Sequence, residues 1–324
     1  MYAIKVENLV KKFGNFRAVN GISFKVKKGE IFAFLGPNGA GKTTTVHILT
    51  TLLKPTEGKA EVAGLDVVRE AKEVRKKIGI VFQDPSIDRD LTAYENMLIH
   101  GGVYGLSGAK LREKIEGLLK FVELWDFKDK LVKHFSGGMQ RRLEIARSLL
   151  HEPEVLFLDE PTLGLDPQTR DHVWSYIETM REEHDMTIFL TTHYMEEAEK
   201  LADKIAIIDH GKIIAEGSCE MLKRMVGNDV IYIKVENCAE CFKGEFIRSC
   251  KVLQDGRIRI AVENAAEALP KIFELAKENG VKIIEATYHQ PTLNDVFLHL
   301  TGREIRDEGG EFFRKAIARA RMRR

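Results

Sequence analysis

A glycine-rich stretch, LGPNGAGKTT from Leu35 to Thr44, has the residue types and spacing that bind a phosphate. It fits G-x-x-x-x-G-K-[ST] and lies between the apolar run IFAFL and the helix-like TTTVHILTTLL, the strand-to-helix setting that this pattern requires. Its glycines let successive backbone N–H groups point at one anion, Lys42 can reach the outer phosphates, and the Thr43 hydroxyl can bind Mg²⁺. An ordinary glycine-rich turn would not explain the Lys-Thr pair, so the stretch predicts nucleotide binding. The expected contacts are Gly36, Pro37, Asn38, Gly39, Ala40, Gly41, Lys42, Thr43 and Thr44.

Two carboxylates follow a second apolar run, VLFLDEP, from Val155 to Pro161. A strand that ends in Asp159 and Glu160 places both acids at the sheet edge where ligands of α/β folds bind. Asp159 suits the Mg²⁺ shell, and Glu160 could accept a proton from, or orient, the water that attacks the γ-phosphate. The alternative is a solvated acidic turn after a strand, which is a weak explanation in a chain that also has a phosphate loop.

A third motif is FSGGMQRRLEIARSLL, which begins at Phe135. Ser136 is placed to cap the helix predicted to begin after Gly137 and Gly138, whose small size lets backbone N–H groups approach an anion. Taken alone, the motif would favour a plain loop before an arginine-rich amphipathic helix. Its position between the two motifs above favours a second phosphate-binding helix terminus instead.

Strand and helix signals alternate up to about Gly217 and position these motifs. Apolar runs separated by helical stretches predict a mainly parallel sheet buried on both faces: IFAFL, KIGIVF, EVLFLDE, TIFLTTH and KIAIID. The segments AIKVENLVKKFG, GISFKVKKGE and GKAEVAG predict antiparallel strands with glycine turns. Between about 84 and 150 the pattern is helical, as in LREKIEGLLKFVELWDF, which predicts an inserted helical subdomain. The predicted fold class is therefore α/β.

The order of the motifs resembles that of one family. The phosphate loop, Gln83, SGGMQ, LFLDEP, LGLD and a His193 after TIFLTT follow one another as in the ATP-binding subunit of an ABC transporter. The resemblance runs continuously from about Val6 to Gly217. It implies a P-loop NTPase ABC cassette over residues 1–222, with the helical subdomain at about 84–150.

This resemblance implies ATP and Mg²⁺ as cofactors and a second cassette, in a homodimer, as a partner. Two chains would pair head to tail, so that ATP on Lys42 and Thr43 of one chain is covered by the SGG motif of the other. Asp166 matches the aspartate that communicates across this interface. The covering residues are Ser136, Gly137 and Gly138.

The resemblance also assigns catalytic roles. Gln83 matches the glutamine that joins the Mg²⁺ and attacking-water shell, and His193 matches the histidine that contacts the γ-phosphate. The expected catalytic residues are Glu160, His193 and Gln83, and the expected metal ligands are Thr43, Gln83 and Asp159.

Phe13 falls where the family stacks an aromatic ring on adenine, and a core phenylalanine in KKFG is the competing interpretation.

Two positions depart from the family pattern. Met139 occupies the place where the signature most often has Gln, and Leu163 a place often filled by Ser. Neither change removes a phosphate ligand, so we expect both to affect interface packing more than activity.

The chain changes character after about Val226. The strand-like VIYIKVEN, a helical CAECFKGEFIRS, two strands around Asp255-Gly256, a helix from Asn264 and VKIIEATY give the order β-α-β-β-α-β. This order predicts a small α+β, ferredoxin-like domain over 226–302, with Asn264 and Glu267 as a capping box. The ending QPTLNDVFLHLTGREIRDE resembles the C-terminal extension of daunorubicin-resistance-type exporter ATPases, which implies export of a drug, lipid or antibiotic.

Cysteines and the C-terminal tail leave two alternatives open. Cys238 and Cys241, with Cys250 and Cys219, could chelate zinc, but no second C-x-x-C completes a site, which favours ordinary thiols. The basic tail, 303–324, suits an anionic membrane surface or an acidic permease segment, or else a solvated, disordered end.

Composition limits the class of protein. The 324 residues include 44% hydrophobic and 31% charged residues, enough for one full core and a smaller second domain. The net charge of +1 gives no reason to expect nucleic acid as a partner. We find no signal core and no apolar run of about 20 residues, so we expect a cytoplasmic subunit held on the inner face of the membrane by its permease.

The permease would be separately encoded. The resemblance places its contact around Gln83 and DPSIDRDLTAYENMLIHGGVYG, where apolar residues mix with charges as on a surface: Ile87, Leu91, Tyr94 and Met97.

The leading interpretation is the ATP-hydrolysing motor of an exporter. The alternatives are an importer ATPase, which shares the cassette, and a soluble ABC ATPase acting on ribosomes or DNA, whose members usually carry two cassettes or a long coiled-coil insertion.

Overall fold

The computed structural model of the protein describes residues 1–184, 186–227, 229–236, 242–253 and 255–302. These residues divide into two compact units, of which the first contains Met1–Glu216 and the second begins at Gly217. The strands of the first unit are β1 (Tyr2–Phe13), β2 (Phe16–Lys27), β3 (Ile31–Leu35), β4 (Glu57–Val62), β5 (Leu65–Asp66), β6 (Ile78–Val81), β7 (Val155–Asp159), β8 (Thr187–Thr192), β9 (Lys204–Asp209) and β10 (Lys212–Gly217). Its α-helices are α1 (Lys42–Leu49), α2 (Ala71–Lys77), α3 (Ala93–Val103), α4 (Gly108–Phe121), α5 (Gly137–Leu149), α6 (Pro167–His184) and α7 (Met195–Leu201).

The central sheet has the strand order β10-β9-β3-β8-β7-β6. Its β9-β3, β3-β8, β8-β7 and β7-β6 pairs are all parallel. Every residue of β3, β7 and β8 is buried, as expected of parallel strands covered on both faces. The predicted α/β fold class is confirmed.

A second sheet, ordered β2-β1-β4-β5, is antiparallel as the glycine turns predicted. It packs against the central sheet through aromatic rings. The Phe24 ring of β2 stacks on Phe32 of β3, with centroids 5.3 Å apart, and lies 5.8 Å from Phe189 of β8. Burial of each such ring stabilises the fold by about 1.5–3 kcal/mol, so this cluster fixes the two sheets to each other.

The helical segment has its own apolar core, formed mainly by α3, α4 and α5. Thr92 and Glu95 form a capping box that starts α3. The sequence placed Ile87 and Met97 on a surface, which is wrong: both are buried in this core. The exposed apolar residues of α3 are instead Leu98, Ile99 and Val103.

The second unit contains α8 (Cys219–Arg224), β11 (Asp229–Val235), β12 (Ile247–Val252), β13 (Ile258–Val262), α9 (Ala265–Glu278), β14 (Ile283–His289) and α10 (Leu293–Thr301). It begins earlier than the boundary predicted from sequence because α8 packs against α10. The sheet is antiparallel with the order β12-β13-β11-β14, which is the ferredoxin-like order. The predicted helix in CAECFKGEFIRS is wrong in its described part, where 242–244 have no regular structure, 245 and 246 form a turn, and Ile247–Val252 form a strand.

A buried ion pair joins α10 to this sheet. The Nε of Arg259 lies 3.3 Å from the Oδ1 of Asp295, and the two side chains are 2% and 1% exposed. The Tyr232 hydroxyl donates to the same carboxylate at 2.8 Å, while the Thr292 backbone N–H and hydroxyl donate to its other oxygen. Burial alone would raise the pKa of Asp295, but these hydrogen bonds and the Arg259 charge hold it below its usual range.

Candidate nucleotide site

The carboxyl ends of three neighbouring strands bring the predicted motifs together. Leu35 at the end of β3 pairs with Thr192 at the end of β8, and Asp159 at the end of β7 pairs with Thr191. The phosphate loop, the two acids and His193 each follow directly from one of these ends. Residues far apart in sequence therefore meet at one edge of the sheet, which is where ligands bind in open α/β folds.

The phosphate loop needs glycine at both ends of its pattern. A Cβ on Gly36 would lie 2.3 Å from the Ile208 carbonyl oxygen, and one on Gly41 would lie 2.4 Å from the Ala18 carbonyl oxygen. Gly41 also has a φ of 105°, which strains any residue with a side chain. Because α1 begins at Lys42, the N–H groups of its first turn have no partner within the helix and can bind an anion.

Lys42 and Glu160 form a buried ion pair. The Lys42 Nζ lies 3.0 Å from Glu160 Oε1 and donates to the Gly36 and Pro37 carbonyls at 2.7 and 3.2 Å. The other Glu160 oxygen lies 2.5 Å from Nδ1 of His193, which is itself buried. Burial alone would raise the pKa of Glu160, but the His193 hydrogen bond and the Lys42 charge hold it below the usual value. Glu160 is thus an ionised carboxylate, the form that can accept a proton.

A second carboxylate lies beside the first. Asp159 Oδ1 accepts from Thr191 Oγ1 at 2.5 Å and from Thr43 Oγ1 at 3.4 Å. A hydroxyl and a carboxylate at this separation are the oxygen ligands that Mg²⁺ prefers, so the residues present fit the predicted cation.

The SGG motif and Asp166 lie together in a second group. Ser136 caps α5 by accepting from the Met139 N–H at 3.2 Å, and the helix begins at Gly137, earlier than predicted. A Cβ on Gly138 would lie 2.4 Å from Thr169 Cγ2. Asp166 accepts the Thr169 N–H and hydroxyl at 3.0 and 2.7 Å. The first turns of α5 and α6 therefore pack together, with Ser136 and Gly137 exposed.

Gln83 lies just past β6, and its side chain is exposed. Its backbone carbonyl accepts from Arg141 of α5 at 3.2 Å. The structure therefore attaches Gln83 to the helix that Ser136 begins, although the glutamine follows a strand of the central sheet.

Phe13 ends β1 next to a two-residue turn and is 49% exposed. The core interpretation of this phenylalanine is therefore wrong. The Lys11 ammonium lies 5.2 Å from its ring centroid. An exposed ring on a strand end remains suited to stacking with a base.

Sequence reasoning missed Thr191 and Glu197. Thr191 donates a hydrogen bond to Asp159, and its place two residues before His193 in TIFLTTH was the available signal. Glu197 is fully buried on α7, and its Oε1 accepts from Thr162 Oγ1 at 2.8 Å and Trp174 Nε1 at 3.0 Å. Burial raises its pKa. Nothing in the sequence separates it from the exposed Glu196 beside it.

The remaining predictions fall partly outside the described residues, as Cys238, Cys241 and the tail 303–324 do. Within the described ranges no group of three or more His, Cys, Asp or Glu side chains could hold a metal ion. Cys219 begins α8 and Cys250 lies in β12, both half-buried. No helix among the described residues is long and apolar enough to cross a membrane.

Comparison with known proteins assigns the family. An ABC transporter family model matches residues 19–163, and a model described as the C-terminal domain of DrrA1-3-like ATP-binding proteins matches 217–301. The daunorubicin resistance ATP-binding protein DrrA3 of Streptomyces coeruleorubidus is 40% identical over 94% of this chain and 97% of its own length. The linearmycin resistance ATP-binding protein LnrL of Bacillus subtilis is 36% identical over 94% of this chain and all of its own.

Solved structures agree with the sequence relatives. cbiO1 from Clostridium perfringens, part of the ABC transporter complex cbiONQ, has a TM-score of 0.63 and 30% identity, over 69% of this chain and 92% of its own. A dimeric ATP-binding cassette in a post-hydrolysis state with ADP and phosphate has a TM-score of 0.61 and 31% identity, over 66% of this chain and 98% of its own. The protein is thus an ATPase that belongs to the ABC transporter ATP-binding family, in the branch with a DrrA-like C-terminal domain.

Proposed function

We propose that the chain is the ATP-hydrolysing motor subunit of an exporter and drives a separately encoded permease that moves a drug, antibiotic or lipid. The similarity that extends through the C-terminal domain carries the proposal of export. Relatives that match 94% of this chain include daunorubicin and linearmycin resistance proteins and a Nod factor export protein of Ralstonia nicotianae that is 38% identical.

Hydrolysis would use the first group of residues. Lys42 and the N–H groups of the phosphate loop bind the outer phosphates of ATP, and Phe13 stacks on the base. Glu160 accepts the proton of the attacking water, and His193 orients the carboxylate through their hydrogen bond. Thr43 and Asp159 would hold Mg²⁺, with Gln83 joining that shell, and the ion supplies positive charge that neutralises the phosphates.

The second group would belong to the partner's site. Ser136 and Gly137 are exposed, whereas Lys42, Asp159 and Glu160 are buried at the sheet edge. A helix terminus that is open to solvent can cover ATP held by a second copy of the chain. We propose that two chains bind two ATP head to tail, with Asp166 at their interface.

The permease would bind the exposed face of α3 and hold the subunit at the inner surface of the membrane. Leu98, Ile99 and Val103 of α3 are 42%, 57% and 78% exposed, which is unusual for three large apolar side chains within six residues. Asp90 lies nearby in the chain and is also exposed. We propose this face of α3 as the permease contact in place of the surface that was predicted to include Ile87 and Met97.

This function is tested by co-expressing the chain with the membrane protein that is encoded next to it in the genome. We expect a detergent-stable complex whose ATP hydrolysis responds to cargo. Ile99→Glu and Asp90→Lys should release the permease without lowering basal hydrolysis, whereas Lys110→Glu, an exposed change on α4, should leave the complex intact. The proposal fails if no membrane protein co-purifies and the chain sediments with ribosomes or DNA in an ATP-dependent way.

A further inference from the structure

Three charged side chains of α5 hold the loop that follows β6. Arg141 donates from Nη1 to the Phe82 carbonyl at 2.6 Å and from Nη2 to the Gln83 carbonyl at 3.2 Å. Glu144 accepts the Ser86 N–H at 2.7 Å, and Arg147 donates to the Ser86 carbonyl at 2.8 Å and to its hydroxyl at 2.5 Å. Backbone groups before, at and after Gln83, those of Phe82, Gln83 and Ser86, are therefore all hydrogen-bonded to one helix.

These anchors form a single connected unit. Arg141 Nη1 lies 3.1 Å from Glu144 Oε2, and the two side chains are 7% and 2% exposed. Residues three apart lie on the same face of a helix, so Arg141, Glu144 and Arg147 present one charged row to the loop. The planar guanidinium of Arg141 can span two carbonyls and a carboxylate at once, which a lysine ammonium on a flexible stem cannot do with the same geometry.

The burial of this row has a cost that apolar packing would avoid. Burial lowers the pKa of Arg141 and raises that of Glu144, although each charge favours the ionised form of the other. Well-packed apolar residues can replace a buried ion pair with no loss of stability in many proteins. Stability alone therefore gives no reason for charges here, whereas a fixed backbone position for Gln83 does.

We propose that Arg141 and Glu144 are positioning residues for ATP hydrolysis, which set the place of Gln83 relative to the α5 helix that begins at Ser136. The proposal rests on the proposed function, in which Gln83 joins the shell of the attacking water. Because α5 carries both the loop anchors and the exposed Ser136 end, a shift of that end on dimer closure moves Gln83 as well.

A double-mutant cycle on the full chain tests this role. Arg141→Ala should lower kcat by about 10–100-fold with the ATP KM changed less than about twofold, because a group misplaced by about 1 Å can cost about a hundredfold while Lys42 and Phe13 still bind ATP. Gln83→Ala should lower kcat as well. The double variant should be no slower than Gln83→Ala alone, since Arg141 acts only through Gln83.

Arg142→Ala is the matched control, because Arg142 binds Val122 and Glu123 rather than the loop and should keep its kcat within about twofold. If Arg141→Ala does not fold, Glu144→Gln keeps an acceptor for Ser86, removes the partner charge of Arg141, and enters the same cycle. The proposal is overturned if the kcat losses of the two single variants multiply in the double variant. It is also overturned if a folded Arg141→Ala or Glu144→Gln protein keeps the wild-type kcat. Glu160→Gln measured alongside separates the two failures: wild-type hydrolysis in that variant would instead overturn the proposed catalytic site.

Discussion

Glu160→Gln changes the charge of the proposed base while keeping its shape and its hydrogen-bond acceptor. Without a proton acceptor, hydrolysis should fall by about 10²–10⁴-fold, the usual scale for a general base. Each tenfold loss corresponds to about 1.4 kcal/mol of barrier, so the barrier should rise by about 3–5 kcal/mol. ATP binding should persist because Lys42, Thr43 and the phosphate loop are unchanged.

Glu160→Gln should also lower the thermal stability of the protein, and bound nucleotide should offset that loss. Glu160 is the carboxylate that neutralises Lys42, whose side chain is only 4% exposed. A buried charge that loses a charged hydrogen-bond partner costs about 1–3 kcal/mol. For a unit of this size that cost lowers the Tm by about 2–8 °C. ATP supplies new negative charge, so it should raise the Tm of the variant more than that of the wild type.

Phosphate release gives the rate, and thermal unfolding with and without MgATP gives the stability. The control is Glu154→Gln, which changes an acid just before the amino end of β7 rather than after its carboxyl end. Glu154 pairs with Lys77 and Lys28 on the surface, where such pairs contribute little, so both measurements should match the wild type. A Glu160→Gln protein that hydrolyses ATP at the wild-type rate refutes the assignment of the base.

Three further outcomes are expected. Phe13→Ala should weaken ATP and GTP binding alike, by about 5–150-fold for a stacking contact of about 1–3 kcal/mol, whereas Phe16→Ala on the same hairpin should not; equal effects on both would contradict stacking. Glu197→Gln should match the wild-type Tm near pH 4 and exceed it increasingly towards pH 8. The raised pKa of Glu197 gives stability that is present below the ordinary carboxyl pKa and lost as pH rises, and the exposed Glu196→Gln should show no such trend. Asp295→Ala should destabilise the second unit by about 3–5 kcal/mol, seen as faster hydrogen exchange in β11–β14, because it leaves a buried arginine unpaired; unchanged exchange there would show that the ion pair is dispensable.

The sequence was most informative where a local pattern determines the structure. A continuous apolar run such as IFAFL fits a strand buried on both faces, and the loop after it includes Gly41, whose positive φ is a local reason for glycine. Burial within the helical segment was less predictable. Ile87 and Met97 face its core while Ile99 faces solvent, and all three are apolar residues in a mixed sequence. Only packing against α4 and α5 decides which of them is covered.

Contacts between distant segments could not be predicted from spacing. Arg141 lies 58 residues from Gln83 in the chain, and a row of arginines on a helix is equally compatible with a solvated face. The predicted helix around Cys241 failed in its described part for a related reason. Ile247 and Ser249, at the end of that segment, pair with β13, and a strand partner outweighs weak helical propensity.

The contacts of Lys42 connect phosphate binding to the activation of Glu160. A lysine ammonium has three protons to donate, and Lys42 already contacts three oxygens, those of Gly36, Pro37 and Glu160. A phosphate that binds Lys42 must therefore replace one of them, and Glu160 is the partner whose negative charge the phosphate duplicates. Replacement would leave Glu160 with His193 as its remaining partner, at the sheet edge where we propose that ATP binds. The base would then be released by the substrate on which it acts, so Glu160→Gln, with no carboxylate to displace, should bind ATP more tightly than the wild type.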